Sequence, residues 1–94
     1  MASTYIIFSE SINKYYIGSC LDFEDRITEH RQGKYINSFT KRADDWIEYI
    51  VIDDLEYQQA RKIENHIKKM KSSIYIENLK KYSEMRTKLI EKYK

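Results

Sequence analysis

The chain has 94 residues, of which 41% are hydrophobic and 34% are charged, a composition typical of one small globular domain and not of a disordered chain. No apolar run approaches the roughly 18 residues that a membrane-spanning helix needs, and the first residues lack the basic and apolar regions of a signal peptide. A single cysteine, Cys20, excludes a disulfide within the chain and is typical of a reducing compartment. We therefore expect one cytoplasmic domain over residues 1–94, without a membrane partner.

The net charge of +2 conceals an uneven distribution along the chain. Residues 1–56 carry six Lys/Arg against eleven Asp/Glu, a net −5, whereas residues 57–94 carry eleven against four, a net +7. A basic segment can bind a polyanion by neutralising phosphates and releasing counterions. The alternative is ordinary solvation of helices by lysines, and charge alone does not decide between the two.

The chain opens on two predicted strands. Residues 5–8 and 15–18 are rich in aromatic and β-branched side chains, which favour a strand. The segment between them, 9–14, contains the turn residue Asn13. The pattern predicts an antiparallel hairpin.

Alternation of side chains assigns faces to this hairpin. Tyr5 and Ile7 share one face of the first strand, and Tyr16 and Gly18 share one face of the second. Glycine weakens a strand unless something must approach the backbone closely. At Gly18 that object is expected to be either the backbone of a bound substrate or a packed helix.

A helix is predicted from Phe23 to about residue 32. Phe23 and Ile27 are expected to face the core. Arg26 and His30 are four residues apart, so they lie along one flank of the apolar stripe. Both side chains can therefore reach a common point beside the sheet.

The middle of the chain predicts a third strand and a second helix. Residues 33–45 are polar and are expected to form a loop, and the strand 46–52 is expected to end at Asp53. The helix runs from about Tyr57 to Met70, and Glu64 borders its apolar stripe, about 40° around the helix from Ala60. The stripe has spacings of three and four and consists of Ala60, Ile63, Ile67 and Met70.

The last part of the chain predicts a short extended piece, 74–76, leading into a C-terminal helix, about 75–93, as an appendage to the domain. The predicted order is β-β-α-β-α plus this helix. The fold class is therefore α+β, with a small three-stranded antiparallel sheet flanked by helices. The apolar residues of the last helix are Leu79, Tyr82, Met85, Leu89 and Tyr93.

Several of these residues together resemble the GIY-YIG nuclease superfamily, and in particular its short stand-alone bacterial members. The second namesake motif is intact as Tyr16-Ile17-Gly18, whereas the first reads Ser3-Thr4-Tyr5 and keeps only the tyrosine. The resemblance covers nearly the whole chain and implies a metal-dependent endonuclease that hydrolyses DNA phosphodiester bonds. The downstream residues that carry it are Arg26, His30, Glu64 and Asn78.

The resemblance implies catalytic roles for four of these side chains. Tyr5 would activate the attacking water with Tyr16 hydrogen-bonding beside it, and which tyrosine takes the proton stays open. Arg26 would bind the non-bridging oxygens of the phosphate, and His30 would orient a group or donate a proton to the leaving oxygen. Each has a plainer alternative, because tyrosines and histidines pack in cores and arginines form surface salt bridges.

Glu64 is the predicted metal ligand. Mg²⁺ or Mn²⁺ prefers carboxylate oxygen, and Mg²⁺ keeps several waters, so one glutamate suffices; the family similarly relies on a single glutamate. The alternative is a surface ion pair with Lys68, four residues along. Asn78 corresponds to a family asparagine near the active site, with a helix N-cap as its alternative. The predicted nucleic-acid-binding residues are Gly18, Lys14, Lys68, Lys69, Lys71 and Asn78.

The sequence as a whole therefore predicts one GIY-YIG-like nuclease domain acting on duplex, flapped or branched DNA, with repair or recombination as the expected setting. No recognisable reader of base sequence is present. A targeting protein or a homodimer stays open as a partner. The alternatives on the same fold are a nucleic-acid-binding module without cleavage activity and a small protein-interaction domain.

Overall fold

The structure is a computed structural model that describes residues 1–21, 23, 27 and 42–94. Three strands form one antiparallel sheet in the order β2-β1-β3, which confirms the predicted α+β class. Among the described residues no helix is long and apolar enough to cross a membrane. The elements are β1 (Ala2–Ser9), β2 (Lys14–Cys20), β3 (Ile47–Leu55), α1 (Tyr57–Met70), α2 (Ser73–Lys81) and α3 (Ser83–Lys92).

The central strand β1 separates two cores, because its successive side chains point to opposite faces. On one face Ala2 and Ile6 pack with the apolar residues of α1, α2 and α3. On the other face Tyr5 and Ile7 pack against a smaller cluster that includes Trp46. The predicted alternation of the hairpin is thus confirmed.

Helix α1 covers the larger core, and its bounds agree with those predicted. Ala60 and Ile63 are fully buried, as the apolar spacing indicated, but Met70 is 45% exposed and does not belong to the stripe. The buried hydroxyl of Thr4 donates a 2.7 Å hydrogen bond to the Ala60 carbonyl. This bond fixes the position of α1 on the sheet.

The strands are longer than their apolar patterns predicted. The prediction that the third strand ends at Asp53 is wrong, because β3 continues to the buried Leu55. Between the pairs Ala2–Leu55 and Thr4–Ile52 the register shifts, and Asp54 adopts a positive φ of 58°. The extra residue forms a bulge, which lets polar residues interrupt the strand without ending it.

The C-terminal part differs most from the prediction. Residues 74–76 are not extended; they lie in α2, whose N-cap Ser72 accepts a 3.1 Å hydrogen bond from the Tyr75 amide. The predicted single helix is broken at Tyr82, whose backbone is extended. Arg86 of α3 donates to the carbonyls of Leu79 and Lys80 at the end of α2. This side chain satisfies carbonyls that the break would leave unpaired.

The predicted first helix is described at two positions only. Phe23 and Ile27 are helical and buried, which confirms that they face the core. The rest of that helix, including Arg26 and His30, lies outside the described residues.

Asp45 ties the turn of the β1–β2 hairpin to the segment that precedes β3. One carboxylate oxygen accepts hydrogen bonds from the hydroxyls of Ser9 at 2.5 Å and Ser11 at 3.0 Å. The other accepts from the Ser11 amide at 2.9 Å. The Ser9 hydroxyl, followed by the Ser11 amide, lowers the pKa of Asp45.

We expect this contact to make stability depend on pH in the acid range. Because the pKa of Asp45 is lower in the folded chain, its stabilisation is present above the unfolded pKa of about 4 and is lost as pH falls through the folded pKa. Asp45→Asn should lower the melting temperature at neutral pH and flatten its decline below about pH 4. Thermal unfolding followed by circular dichroism measures both, with Asp44→Asn as the matched control. Parallel curves for Asp45→Asn and the wild type would contradict this account.

Candidate active site

Tyr5 and Tyr16 come together as a pair on the face of the smaller core. Their ring centroids lie 6.4 Å apart, and Tyr5 also packs against Phe23 at 5.4 Å. The two side chains differ in accessibility, since Tyr5 is 1% exposed whereas Tyr16 is half-buried. The Tyr5 side chain is therefore shielded from solvent, whereas Tyr16 is partly accessible.

Gly18 lies opposite Tyr5 in the β1–β2 ladder. A Cβ atom at Gly18 would lie 2.6 Å from Tyr5 Cζ, well inside the contact distance of two carbon atoms. The ring of Tyr5 thus lies across the backbone of β2 and requires glycine there. Close approach to Gly18 was expected from a substrate backbone or a packed helix, and the structure shows the ring of Tyr5 there instead. Contact between Gly18 and nucleic acid stays a prediction.

Tyr15 is adjacent to Tyr16 in sequence but belongs to the opposite face. It packs with Phe8 and Tyr49, at centroid distances of 4.9 and 5.0 Å. Burial, followed by the hydrogen bond with Tyr49, raises the pKa of Tyr15 to about 12. A phenol with this pKa is protonated at neutral pH and is unsuited to act as a base.

The carboxylate of Glu64, in the middle of α1, makes two polar contacts. The Ser19 hydroxyl donates a 2.6 Å hydrogen bond to Oε1, and the Lys68 ammonium lies 2.6 Å from Oε2. The Glu64 side chain is 16% exposed and that of Lys68 is 47% exposed. The ion pair with Lys68 expected as the alternative is present, and Ser19 adds a bond across to the sheet.

The tyrosine pair and Glu64 lie on opposite faces of the sheet. Side chains alternate along β2, so Tyr16 and Gly18 face the smaller core whereas Ser19 faces α1. In the sheet formed by the described residues, β2 is an edge strand. Gly18 and Ser19 are consecutive, so a ligand lying against this edge can meet side chains from both faces.

Ser19 was missed by the sequence analysis. The pattern did contain a signal, because Ser19 follows Tyr15 and Ile17 at period two on the face that packs against a helix. A polar residue on such a face needs a hydrogen-bond partner when it is half-buried. That partner is the carboxylate of Glu64.

The other predicted site residues are not gathered around Glu64 by any contact that the structure describes. Lys14 is exposed at the first position of β2. Asn78 lies inside α2, where its carbonyl accepts from the Tyr82 amide at 2.8 Å, so the alternative of an N-cap at Asn78 is wrong. Lys69 and Lys71 are exposed at the end of α1, beyond Glu64 along the helix.

The donor set at Glu64 fits a single divalent cation. A carboxylate offers about four lone-pair positions, and the bonds from Ser19 and Lys68 use two. Mg²⁺ commonly takes one or two protein carboxylates and keeps several waters. Within the described part of the chain, no three His, Cys, Asp or Glu side chains are grouped to hold a metal, so a cation bound here would have Glu64 as its carboxylate ligand.

Comparison with known protein families agrees with this arrangement of motifs. Residues 1–83 match the family model of the GIY-YIG catalytic domain, which spans the sheet, α1 and α2. The chain belongs to the GIY-YIG family. Comparison with curated proteins and with solved structures gave no significant match.

Membership of the GIY-YIG family assigns a nuclease-type fold to the chain. Domains of this family are generally endonucleases that depend on a divalent metal. The family match ends at residue 83, so most of α3 lies beyond it. That helix is a feature of this chain that the family match does not explain.

Proposed function

We propose that the chain is a metal-dependent endonuclease that hydrolyses DNA phosphodiester bonds at the edge of β2. The observation that carries the proposal is the placement of Glu64 beside Ser19, next along β2 to Gly18. Tyr16 lies on the other face of the same strand, with Tyr5 beside it on β1. A phosphate lying against Gly18 and Ser19 would have a carboxylate on one side and phenol groups on the other. These are the groups that phosphodiester hydrolysis by a bound water requires.

In this proposal the candidate side chains have different chemical roles. The tyrosine pair positions the water and takes its proton, a task assigned to the pair and not to one member. Arg26 binds the non-bridging oxygens, and His30 donates a proton to the leaving oxygen. Glu64 would hold the metal, with Ser19 fixing the direction of its carboxylate. A divalent cation bound there would neutralise negative charge that develops on the phosphate.

Lys68 is the counterion of the Glu64 carboxylate in the structure. Its long flexible stem and its 47% exposure let the ammonium leave Oε2 and bind a DNA phosphate instead. The same contact is what a non-catalytic binding module would show, because a Glu–Lys pair needs no metal. A cleavage assay distinguishes the endonuclease from the binding module.

The test is cleavage of labelled linear, flapped and branched DNA by the pure protein. We expect cleavage with Mg²⁺ or Mn²⁺ and none with EDTA. A comparison of the substrates gives the preferred DNA structure in the same experiment. Binding to all of these substrates without cleavage in either metal would replace the proposal by that of a binding module.

The basic end of α1 is expected to bind DNA without base specificity. Replacing Lys68, Lys69 and Lys71 together by Gln should weaken duplex binding equally for unrelated sequences. The dependence of log K on log salt should become shallower by roughly one for each phosphate that the protein no longer neutralises. Fluorescence anisotropy over a salt series measures this.

A matched control removes three lysines from elsewhere in the same basic half, Lys80, Lys81 and Lys94, and should have the smaller effect. If replacing Lys68, Lys69 and Lys71 left the salt slope unchanged, the end of α1 would be excluded from the DNA-binding surface. Tight binding of one sequence at physiological salt would show a reader of bases that the chain was not expected to contain.

A further inference from the structure

A cleft of about 230 Å³ opens among α1, α2 and α3, away from the β2 edge. We call it the C-terminal cleft. Four of its lining residues lie beyond the part of the chain that matches the family. The cleft is lined by His66, Tyr75, Met85, Lys88, Leu89 and Lys92.

One wall of the C-terminal cleft is aromatic and held in place. The ring centroids of His66 and Tyr75 lie 6.2 Å apart. A 2.7 Å hydrogen bond joins His66 Nδ1 to the hydroxyl of Tyr93, and the two rings meet nearly edge-on at 5.6 Å. A fixed ring beside a tyrosine offers a flat surface for stacking.

The rim of the C-terminal cleft is positively charged. Lys88 and Lys92 are exposed on α3, one turn apart, and none of the six lining residues is acidic. An apolar aromatic wall under a basic rim suits a ligand that is planar and negatively charged.

A nucleotide is both planar, in its base, and negatively charged, in its phosphate. The face of the base is free for stacking only when the nucleotide is unpaired. The cleft is smaller than the roughly 300 Å³ at which pockets for larger ligands begin, which suits one base. Successive bases of single strands stack on aromatic side chains while lysines follow the backbone. We propose that the C-terminal cleft binds one unpaired base of a DNA strand, with the neighbouring phosphates on Lys88 and Lys92.

This inference deepens the proposed function and rests on it for the choice of DNA. Glu64 and His66 are two residues apart in α1, so their side chains point about 200° apart around the helix. Of the exposed lysines at the end of α1, Lys69 lies between these two sides, about 140° around the helix from Glu64, whereas Lys68 lies closer to the Glu64 side, at about 40°. A single-stranded arm of a flapped or branched substrate can cross that end of α1 while the duplex lies at the β2 edge. The cleft would thus favour substrates that carry such an arm.

The test measures binding in EDTA, where no cleavage occurs, so its outcome is independent of nuclease activity. Fluorescence anisotropy compares an oligothymidine single strand with a duplex. Tyr75→Leu keeps the apolar bulk and removes the ring, and we expect a loss of about 5-fold to 150-fold for the single strand, with duplex binding unchanged. Replacing Lys88 and Lys92 by Gln should lower the single-strand salt slope by roughly 1.4. Replacing Lys80 and Lys81 by Gln removes the same charge from outside the cleft and should change it less.

Photo-crosslinking with an iodouracil-substituted strand provides a second readout that needs no variant. Mass spectrometry should locate the crosslink on His66 or Tyr75. Crosslinks elsewhere, or wild-type affinity of a folded Tyr75→Leu variant, would overturn the proposal. The proposal would also be overturned if an acidic peptide displaced the labelled single strand as well as an unlabelled single strand does. That result would show that the cleft recognises negative charge alone. If the Tyr75→Leu variant fails to fold, the salt slope of the Lys88 and Lys92 double variant and the position of the crosslink still test the proposal.

Discussion

Glu64→Gln is expected to give a folded protein that binds DNA and does not cleave it. Glutamine has the size and helix propensity of glutamate, and its amide oxygen can still accept from the Ser19 hydroxyl. The ion pair with the half-exposed Lys68, which this variant removes, contributes only roughly 0.3–0.5 kcal/mol. The charge that would hold the metal is gone, however, so cleavage should be abolished in Mg²⁺ and not restored by excess Mn²⁺.

DNA binding by the Glu64→Gln variant should be equal to or tighter than that of the wild type, because a negative charge near the phosphate is removed. The matched control is Glu91→Gln, which removes a Glu–Lys pair of the same kind, with Lys94 at 3.7 Å, away from the site. It should cleave like the wild type. Cleavage by Glu64→Gln within a few-fold of wild type would contradict the single-carboxylate site.

A companion variant, Ser19→Ala, separates orientation of the carboxylate from its charge. It keeps Glu64 and removes the 2.6 Å hydrogen bond. Loss of an outer partner of a metal ligand commonly reduces metal affinity about 10–100-fold. We therefore expect cleavage by Ser19→Ala to need more Mg²⁺ but to approach the wild-type rate at saturation.

Tyr5→Phe and Tyr16→Phe are each expected to reduce cleavage by roughly 10² or more, the usual contribution of a general base. Each change removes one hydroxyl and keeps the ring. The packing of Tyr5 across Gly18 and against Phe23 is therefore retained. Melting temperature and DNA affinity should change little, and single-turnover cleavage measures the loss.

Tyr15→Phe is the matched control for the tyrosine pair. Tyr15 is next to Tyr16 but lies on the other face of the sheet, and burial with the Tyr49 hydrogen bond raises its pKa to about 12. Its variant should retain wild-type cleavage. Full activity in both Tyr5→Phe and Tyr16→Phe would show that these tyrosines only pack.

The sheet and α1 could be predicted because their patterns are local. The alternation around Tyr5 and Tyr16 has period two, and the spacing from Ala60 to Ile67 follows a helix, so each segment indicates its own structure and buried face. Met70 keeps the spacing of the stripe but is at the helix end, where it is exposed. Periodicity gives the direction of a side chain and not what covers it.

The C-terminal region could not be predicted in the same way, because tertiary contacts decide it. Ile74 and Ile76 favour a strand by propensity, yet the Ser72 cap and the burial of Ile76 make the segment helical. No glycine or proline marks the break at Tyr82. The break is stabilised by Arg86, which binds carbonyls of the preceding helix.

The candidate site was predicted in its residue types but not in its geometry. The motif contains Tyr16 and Gly18, but sequence does not show that Tyr5 fills the space above Gly18. It also does not show that Glu64 lies on the opposite face and is held by Ser19. Both facts depend on how α1 lies on the sheet. They show that Tyr5 and Glu64 lie on opposite faces of the sheet, which the motif alone does not do.

The most direct measurement of the central claim is nicking of supercoiled plasmid by purified protein in Mg²⁺, with Glu64→Gln purified in parallel. One nick anywhere in the plasmid converts it to the relaxed form, so one gel detects cleavage at any position. The proposed function predicts conversion to the nicked form by the wild type, none in EDTA, and none by the variant. Equal nicking by both proteins would contradict it, as would plasmid, flapped DNA and branched DNA that all stay intact with the wild type in Mg²⁺ and Mn²⁺.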